Sequence, residues 1–174
     1  SGSTTVAQSD GCVITTATDA EGQVTATQVA LTESLLMESG GTPVALPIPA
    51  LPLSSDPADA PTLTLDLPAG SRSARVEIPV EHVTPGTVAV LVKADGTETV
   101  IPTSLTTENG VAVVLDKGAT VKIVDNTKSF ADVPAGYWGA EAVSFVSSRA
   151  SFSGTGADEF SPETPMSRAM IVTV

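Results

Sequence analysis

Val88-Ala-Val-Leu-Val-Lys93-Ala-Asp95-Gly96-Thr97-Glu-Thr-Val-Ile101 is the stretch on which the fold turns. Two β-prone runs, Val88 to Lys93 and Thr97 to Ile101, flank Asp95-Gly96. An Asp-Gly pair between such runs predicts a two-residue type I′ hairpin, because both central positions need positive φ. The same grammar continues outward. Asn109-Gly110 stands before Val111 to Leu115, and Lys117-Gly118 before Val121 to Val124. Leu63, Leu65 and Leu67 alternate with Thr64 and Asp66. Val76, Ile78 and Val80 alternate with Glu77 and Pro79. Nearer the start, Cys12 to Thr18 and Gln23 to Val29 flank Asp19-Ala-Glu-Gly22, a further hairpin candidate. A period of two with turn residues between the runs predicts an antiparallel sheet or sandwich.

Two segments break the alternation. Leu31, Leu35 and Leu36 fall at helical spacing, with Gly40-Gly41 after Met37, which predicts one short helix with a glycine stop. Pro43 to Pro52 cannot be a central strand, since each proline removes a ladder donor; an edge strand or an extended crossing is expected. Ser54 to Pro61 reads as a polar loop.

Aromatic residues divide the chain. Phe130, Phe145, Phe152, Phe160, Tyr137 and Trp138 all lie between 130 and 160, and the first 129 residues hold none. Beyond a junction near Asp125-Asn126-Thr127-Lys128 the period becomes helical: Trp138, Ala142, Phe145, Val146 and Arg149-Ala150 recur at three- and four-residue spacing. Gly154 and Gly156 follow, and Pro162 and Pro165 lead into a second helix from Met166. The expected class is α+β: a mostly antiparallel, sandwich-like β domain with one short helix, then a small helix-loop-helix unit. The expected divisions are 1–10, a flexible N-terminus in which Ser1-Gly2-Ser3 reads as a cloning scar; 11–126, a β-rich spacer; and 127–174, a unit cut within its second helix. On this reading the sequence is a piece of a longer protein.

The chain has 174 residues and a net charge of -12, with 20 acidic against 8 basic residues. Its Lys and Arg side chains, at 72, 75, 93, 117, 122, 128, 149 and 168, never cluster. Nucleic-acid binding needs a basic stripe that displaces counterions, so that class is excluded, and an electrostatic grip on an anionic membrane is not expected. No apolar run approaches the length that spans a bilayer, so no membrane insertion is expected.

The catalytic inventory is poor. His82, the single histidine, sits in the turn-like Glu81-His-Val-Thr-Pro85-Gly86 and reads as a surface residue rather than a general base. Cys12, the single cysteine, lies in a strand-like run and reads as a structural thiol. One His and one Cys make no zinc site, and the carboxylates lack calcium-loop spacing. Gly154-Thr-Gly156 lacks the Gly-Lys-Ser/Thr of a phosphate loop. No enzyme activity, metal or cofactor is expected.

The segment from Phe130 onward carries a spaced pattern: Phe130-Ala-Asp132-Val133, Tyr137-Trp138, an apolar helical stretch, Gly154-Thr-Gly156, Phe160-Ser-Pro162 and Ser167-Arg168-Ala169. This resembles the S-layer homology (SLH) repeat, with the family's T-R-A-E appearing here as Ser167-Arg-Ala-Met170. The resemblance implies an extracellular, cell-wall location in Gram-positive bacteria and binding of secondary cell-wall polysaccharide, often pyruvylated. It implies further SLH repeats in the parent chain. Carried over by position, it implies Asp132, Trp138, Gly154, Gly156 and Arg168 as glycan-binding residues. Arg168 can pair with a ketal-pyruvate carboxylate, assisted by a helix N-terminus. Trp138 can offer its face to a sugar ring or pack inward. Asp132 can accept sugar hydroxyls, hold Arg168 or cap a helix. The two glycines let backbone approach a ligand or serve the turn alone.

The region from about Val76 to Asn126 also looks like a β-rich segment found upstream of SLH repeats, and reads as a stalk. Two rival readings stay open: the β domain is an adhesin, protein-interaction or carbohydrate-binding module, or the fragment is an accessory region of an exported enzyme. Ala169, Met170, Ile171 and Val172 further suggest a homodimer through the cut helix.

Overall fold

The computed structural model describes residues 1–169. Among the described residues, eleven strands and two helices follow in order: β1 (Ser3–Ser9), β2 (Cys12–Thr18), β3 (Val24–Leu31), α1 (Glu33–Glu38), β4 (Val44–Ala45), β5 (Thr62–Asp66), β6 (Ser73–Pro79), β7 (Thr87–Val92), β8 (Glu98–Val100), β9 (Leu105–Thr106), β10 (Gly110–Asp116), β11 (Thr120–Asp125) and α2 (Ala140–Ser148). They build a seven-stranded sheet, β1-β2-β3-β5-β11-β7-β8, and a four-stranded sheet, β4-β6-β10-β9.

The alternating runs bury one face each. In β5, Leu63 and Leu65 are enclosed; in β6, Val76 and Ile78; in β11, Val121 and Ile123. These residues, with Val29 and Val111, form one cluster drawn from both sheets. Each such side chain contributes roughly 1.5–3 kcal/mol on leaving water. β7 reads as a continuous apolar run because both its faces are covered. Ala89 joins the shared cluster, while Val88 and Val90 pack with Ala60 and Val124 on the other side.

The sheets are mixed rather than simply antiparallel. β3 pairs with β5 and β4 with β6 in parallel, while the other ladders are antiparallel. Parallel neighbours need a long connection, and the sequence between β3 and β5 supplies it. The chain passes through α1, capped by Thr32 accepting from Leu35 N, and then along the proline-rich crossing. Val44, Leu46, Ile48 and Leu51 bury there while Leu46 N and Leu51 N donate to Glu77 O and Pro79 O. The edge strand and crossing expected for Pro43 to Pro52 are both present.

Two turn readings and the expected flexible start are corrected. At Asp95-Gly96 the hairpin forms, but only Gly96 has positive φ; Lys93 N donates to Thr97 O around a three-residue loop, and Asp95 Oδ1 accepts from Thr97 N. Asn109-Gly110 is no I′ turn, since neither residue has positive φ. Gly110 is a strand residue whose absent side chain matters: a Cβ there would lie 1.9 Å from Ile78 O. The two-residue turn with both φ positive is Asp10-Gly11, joining β1 to β2. Residues 3–9, expected to be flexible, are therefore strand β1, paired with β2 from Ser3↔Thr18 to Ser9↔Cys12.

Candidate functional site

After Asp125 the chain stays attached to the sheets. Asn126 N donates to Gly86 O, and Asn126 Nδ2 donates to Ser148 O at 2.7 Å. α2 begins at Ala140, two residues later than the helical spacing from Trp138 implies. Its buried side is Val143, Ser147 and Ser148, whereas Ala142 is exposed and Phe145 and Val146 are half-buried. The expected face was rotated because the helix uses small polar residues, not aromatics, against the sheets. Its C-terminus closes on Ala150, whose φ of 56° takes the left-handed form usually given to glycine.

Trp138 therefore precedes the helix and is 87% exposed, with its ring 5.5 Å from that of Tyr137. It does not pack inward. Tyr137 Oη donates to Glu163 Oε1 at 2.7 Å, tying the aromatic pair to the segment that leads to Arg168; this contact raises the Tyr137 pKa. Arg168 is exposed. The second helix expected from Met166 is described only through Ala169, and Met170 to Val172, central to the homodimer expectation, lie outside the described residues.

Asp132 is a brace. Oδ1 accepts from Phe160 N at 2.9 Å and Oδ2 from Ser161 N at 2.6 Å. These amides, Phe160 first, hold its carboxyl below the usual aspartate range. Phe130 stacks obliquely on Phe160 with centroids 5.2 Å apart, so the F-x-D-V opening and the F-x-P turn are one joined unit. Gly154 belongs to the same knot. Its φ is 81°, a Cβ would lie 2.4 Å from Glu159 O, and Thr155 N and Gly156 N both donate to that carbonyl. Gly156 is different: a Cβ there would meet nothing closer than 3.8 Å.

The structure thus joins Asp132 and Gly154 through residues 159–161 and leaves Trp138 and Arg168 on the surface. Among the described residues no ion pair joins Asp132 to Arg168, so a direct arginine-holding role is not what the carboxylate does here. An apolar cavity of about 350 Å³ lies between α2 and this knot, lined by Val143, Val146, Phe152, Phe160, Pro162 and Met166. Outside the motif, Cys12 is buried, with its thiol pKa raised by desolvation and then by Asp10, and His82 is exposed in a bend.

Sequence reasoning missed Arg149. Read as part of a helical pattern, it is 3% exposed. Nε donates to Ser104 O (2.9 Å), Nη1 to Pro85 O (3.0 Å), Phe145 O (3.1 Å) and Ser148 Oγ (3.1 Å), and Nη2 to Thr87 O (3.0 Å). The guanidinium carbon also sits 3.7 Å from the Phe145 ring centre. Burial lowers its pKa. No sequence signal separates this arginine from an ordinary cation in a helix's last turn.

The β-rich body is thus followed by a short helix and a braced glycine loop, with Trp138 and Arg168 each exposed. This segment is recognisable: residues 129–169 match the family model of the S-layer homology domain. Domains of that family in general anchor proteins at the cell surface and wall and bind cell-wall polysaccharide. Neither the curated proteins nor the solved structures give a match to the chain.

Proposed function

We propose that this chain holds its parent protein on the cell wall without catalysis, by gripping a secondary, pyruvylated wall polysaccharide through Trp138 and Arg168. The observation that carries the reading is the 87% exposure of Trp138 beside Tyr137, within a segment matched as an S-layer homology domain. An indole left in water contributes nothing to a core, and its flat face suits a sugar ring. Arg168, also exposed, supplies the paired donors that a ketal carboxylate requires. Asp132 and Gly154 support this surface by fixing the loop, and Gly156 leaves backbone approachable. Further repeats in the parent add avidity. The β-rich body, β1 included and extending to residue 126, is a spacer, with residues 127–174 as the repeat.

The test is co-sedimentation with purified Gram-positive walls, native or stripped of secondary polysaccharide, using the chain and a form extended through further repeats. Binding of the extended form to native walls alone, abolished in Trp138→Ala and Arg168→Ala, supports the reading. Equal binding to stripped walls, or binding indifferent to both substitutions, overturns it.

A further inference from the structure

We infer that the joint between the β-rich body and the S-layer homology segment is locked, and that Arg149 is the positioning residue that locks it. The sequence places a boundary near Asp125-Asn126-Thr127-Lys128, and a boundary between two compositions ordinarily marks a flexible linker. The atoms there are engaged instead. Asp125 Oδ1 accepts from Thr84 Oγ1, Thr127 N and Thr127 Oγ1. Asn126 N reaches Gly86 O. Gly86 lies so close to Thr127 that a Cβ would sit 2.1 Å from its Oγ1.

Arg149 closes the joint from the far end of α2. Three carbonyls of the β-rich body, those of Pro85, Thr87 and Ser104, converge on its guanidinium, while Phe145 O and Ser148 Oγ hold it from the helix side. Asn126 Nδ2 adds a fourth tie, to Ser148 O. A planar fork with five donors fills these directions; an ammonium on a flexible stem does not. The cradle contains no carboxylate among these partners, so the contact reads as geometry rather than charge neutralisation. A guanidinium satisfied by four carbonyls and one hydroxyl has one orientation, and α2 inherits it. The β-rich body then acts as a rigid base for the wall-facing segment rather than as a stalk that swivels beneath it. This goes beyond wall binding and stands whether or not the glycan reading does.

Spin labels at two exposed positions on opposite sides of the joint, Val114→Cys in β10 and Glu141→Cys in α2, measure it in the full chain by electron–electron distance spectroscopy. The unlocked alternative gives a broad distance distribution, and that result in the otherwise native chain overturns the inference. The expected result is one narrow distance, broadened at least twofold by Arg149→Met and by Arg149→Lys, which keeps the charge. A distribution that stays narrow in both variants also overturns it. Native-state hydrogen exchange on the unsubstituted chain guards against variants that simply unfold. Amides of residues 143–148 opening with the same denaturant dependence as those of β7 and β11 support the lock. Opening of α2 at low denaturant, independent of the sheets, refutes it.

Discussion

In the β-rich body Val29, Leu63, Leu65, Val76, Ile78, Val111 and Val121 are completely enclosed; after Asp125, Val143 is the one buried hydrophobic side chain among the described residues. The later segment buries Ser147, Ser148 and Arg149 instead, and leaves Trp138 in solvent. The first region is held by area removed from water, a non-directional force that tolerates any side chain of about the right size. The second is held by directed hydrogen bonds, from Asp132 to two amides and from Arg149 to carbonyls. The two regions should therefore fail differently. Cavities should break the first, and loss of a single donor or acceptor should loosen the second.

The largest effect is expected at the shared core. Leu65→Ala should cost about 2–5 kcal/mol of global stability, since Leu65 is fully enclosed between the sheets. Chemical denaturation followed by far-ultraviolet circular dichroism measures it; a loss below about 0.5 kcal/mol, the scale of a surface change, would contradict a common core. Gly110→Ala comes next, at about 1–3 kcal/mol, because the added methyl meets a backbone carbonyl in β6 that cannot move without its strand.

Much of this was legible from residues. The alternation of Leu63, Leu65 and Leu67 and of Val76, Ile78 and Val80 named the core, and the prolines between 43 and 52 named the crossing. What escaped was non-local. Parallel pairing of β3 with β5 depends on where a long connection returns, which no local pattern records. Asp-Gly at 95–96 and Asn-Gly at 109–110 signalled turns, yet the loop geometry was set by the register of the flanking strands. Asp10-Gly11 carried the same signal and went unused, because the preceding residues have no buried face: β1 is exposed along nearly its whole length. For the candidate site, the spaced motif located the segment, but which motif residues brace the loop and which face solvent depended on contacts 28 residues apart, as between Asp132 and Phe160.

In the second region, Ala150→Gly should stabilise by about 0.5–1 kcal/mol, since an L side chain at φ 56° carries a steric cost that glycine avoids. An unchanged or lower midpoint in denaturant would mean the surrounding turn already compensates. Asp132 gives a pH-dependent version of the comparison. Its pKa is lowered in the folded chain, so its contribution is present above the ordinary value of 3.8 and is lost as pH falls through the lower folded value. Amide exchange should show Phe160 and Ser161 losing protection at acid pH before the strands do. In Asp132→Asn that selective loss should already be present at neutral pH. Simultaneous loss everywhere would show that the loop and the sheets are not held separately.

Trp138→Ala should have the smallest effect on stability and the sharpest meaning. A side chain 87% exposed leaves no cavity when removed, and its nearest ring, Tyr137, keeps its own hydrogen bond to Glu163. Stability should stay within about 0.5 kcal/mol of the starting chain, as for surface positions generally. If wall binding by the form extended through further repeats falls at the same time, the exposed indole is there for a ligand, and the second region keeps its aromatic surface for recognition while polar contacts hold its fold. If stability drops by more than about 1 kcal/mol, well outside that surface range, Trp138 is part of the packing after all. The contrast between the two regions would then narrow to Arg149 and Asp132 alone.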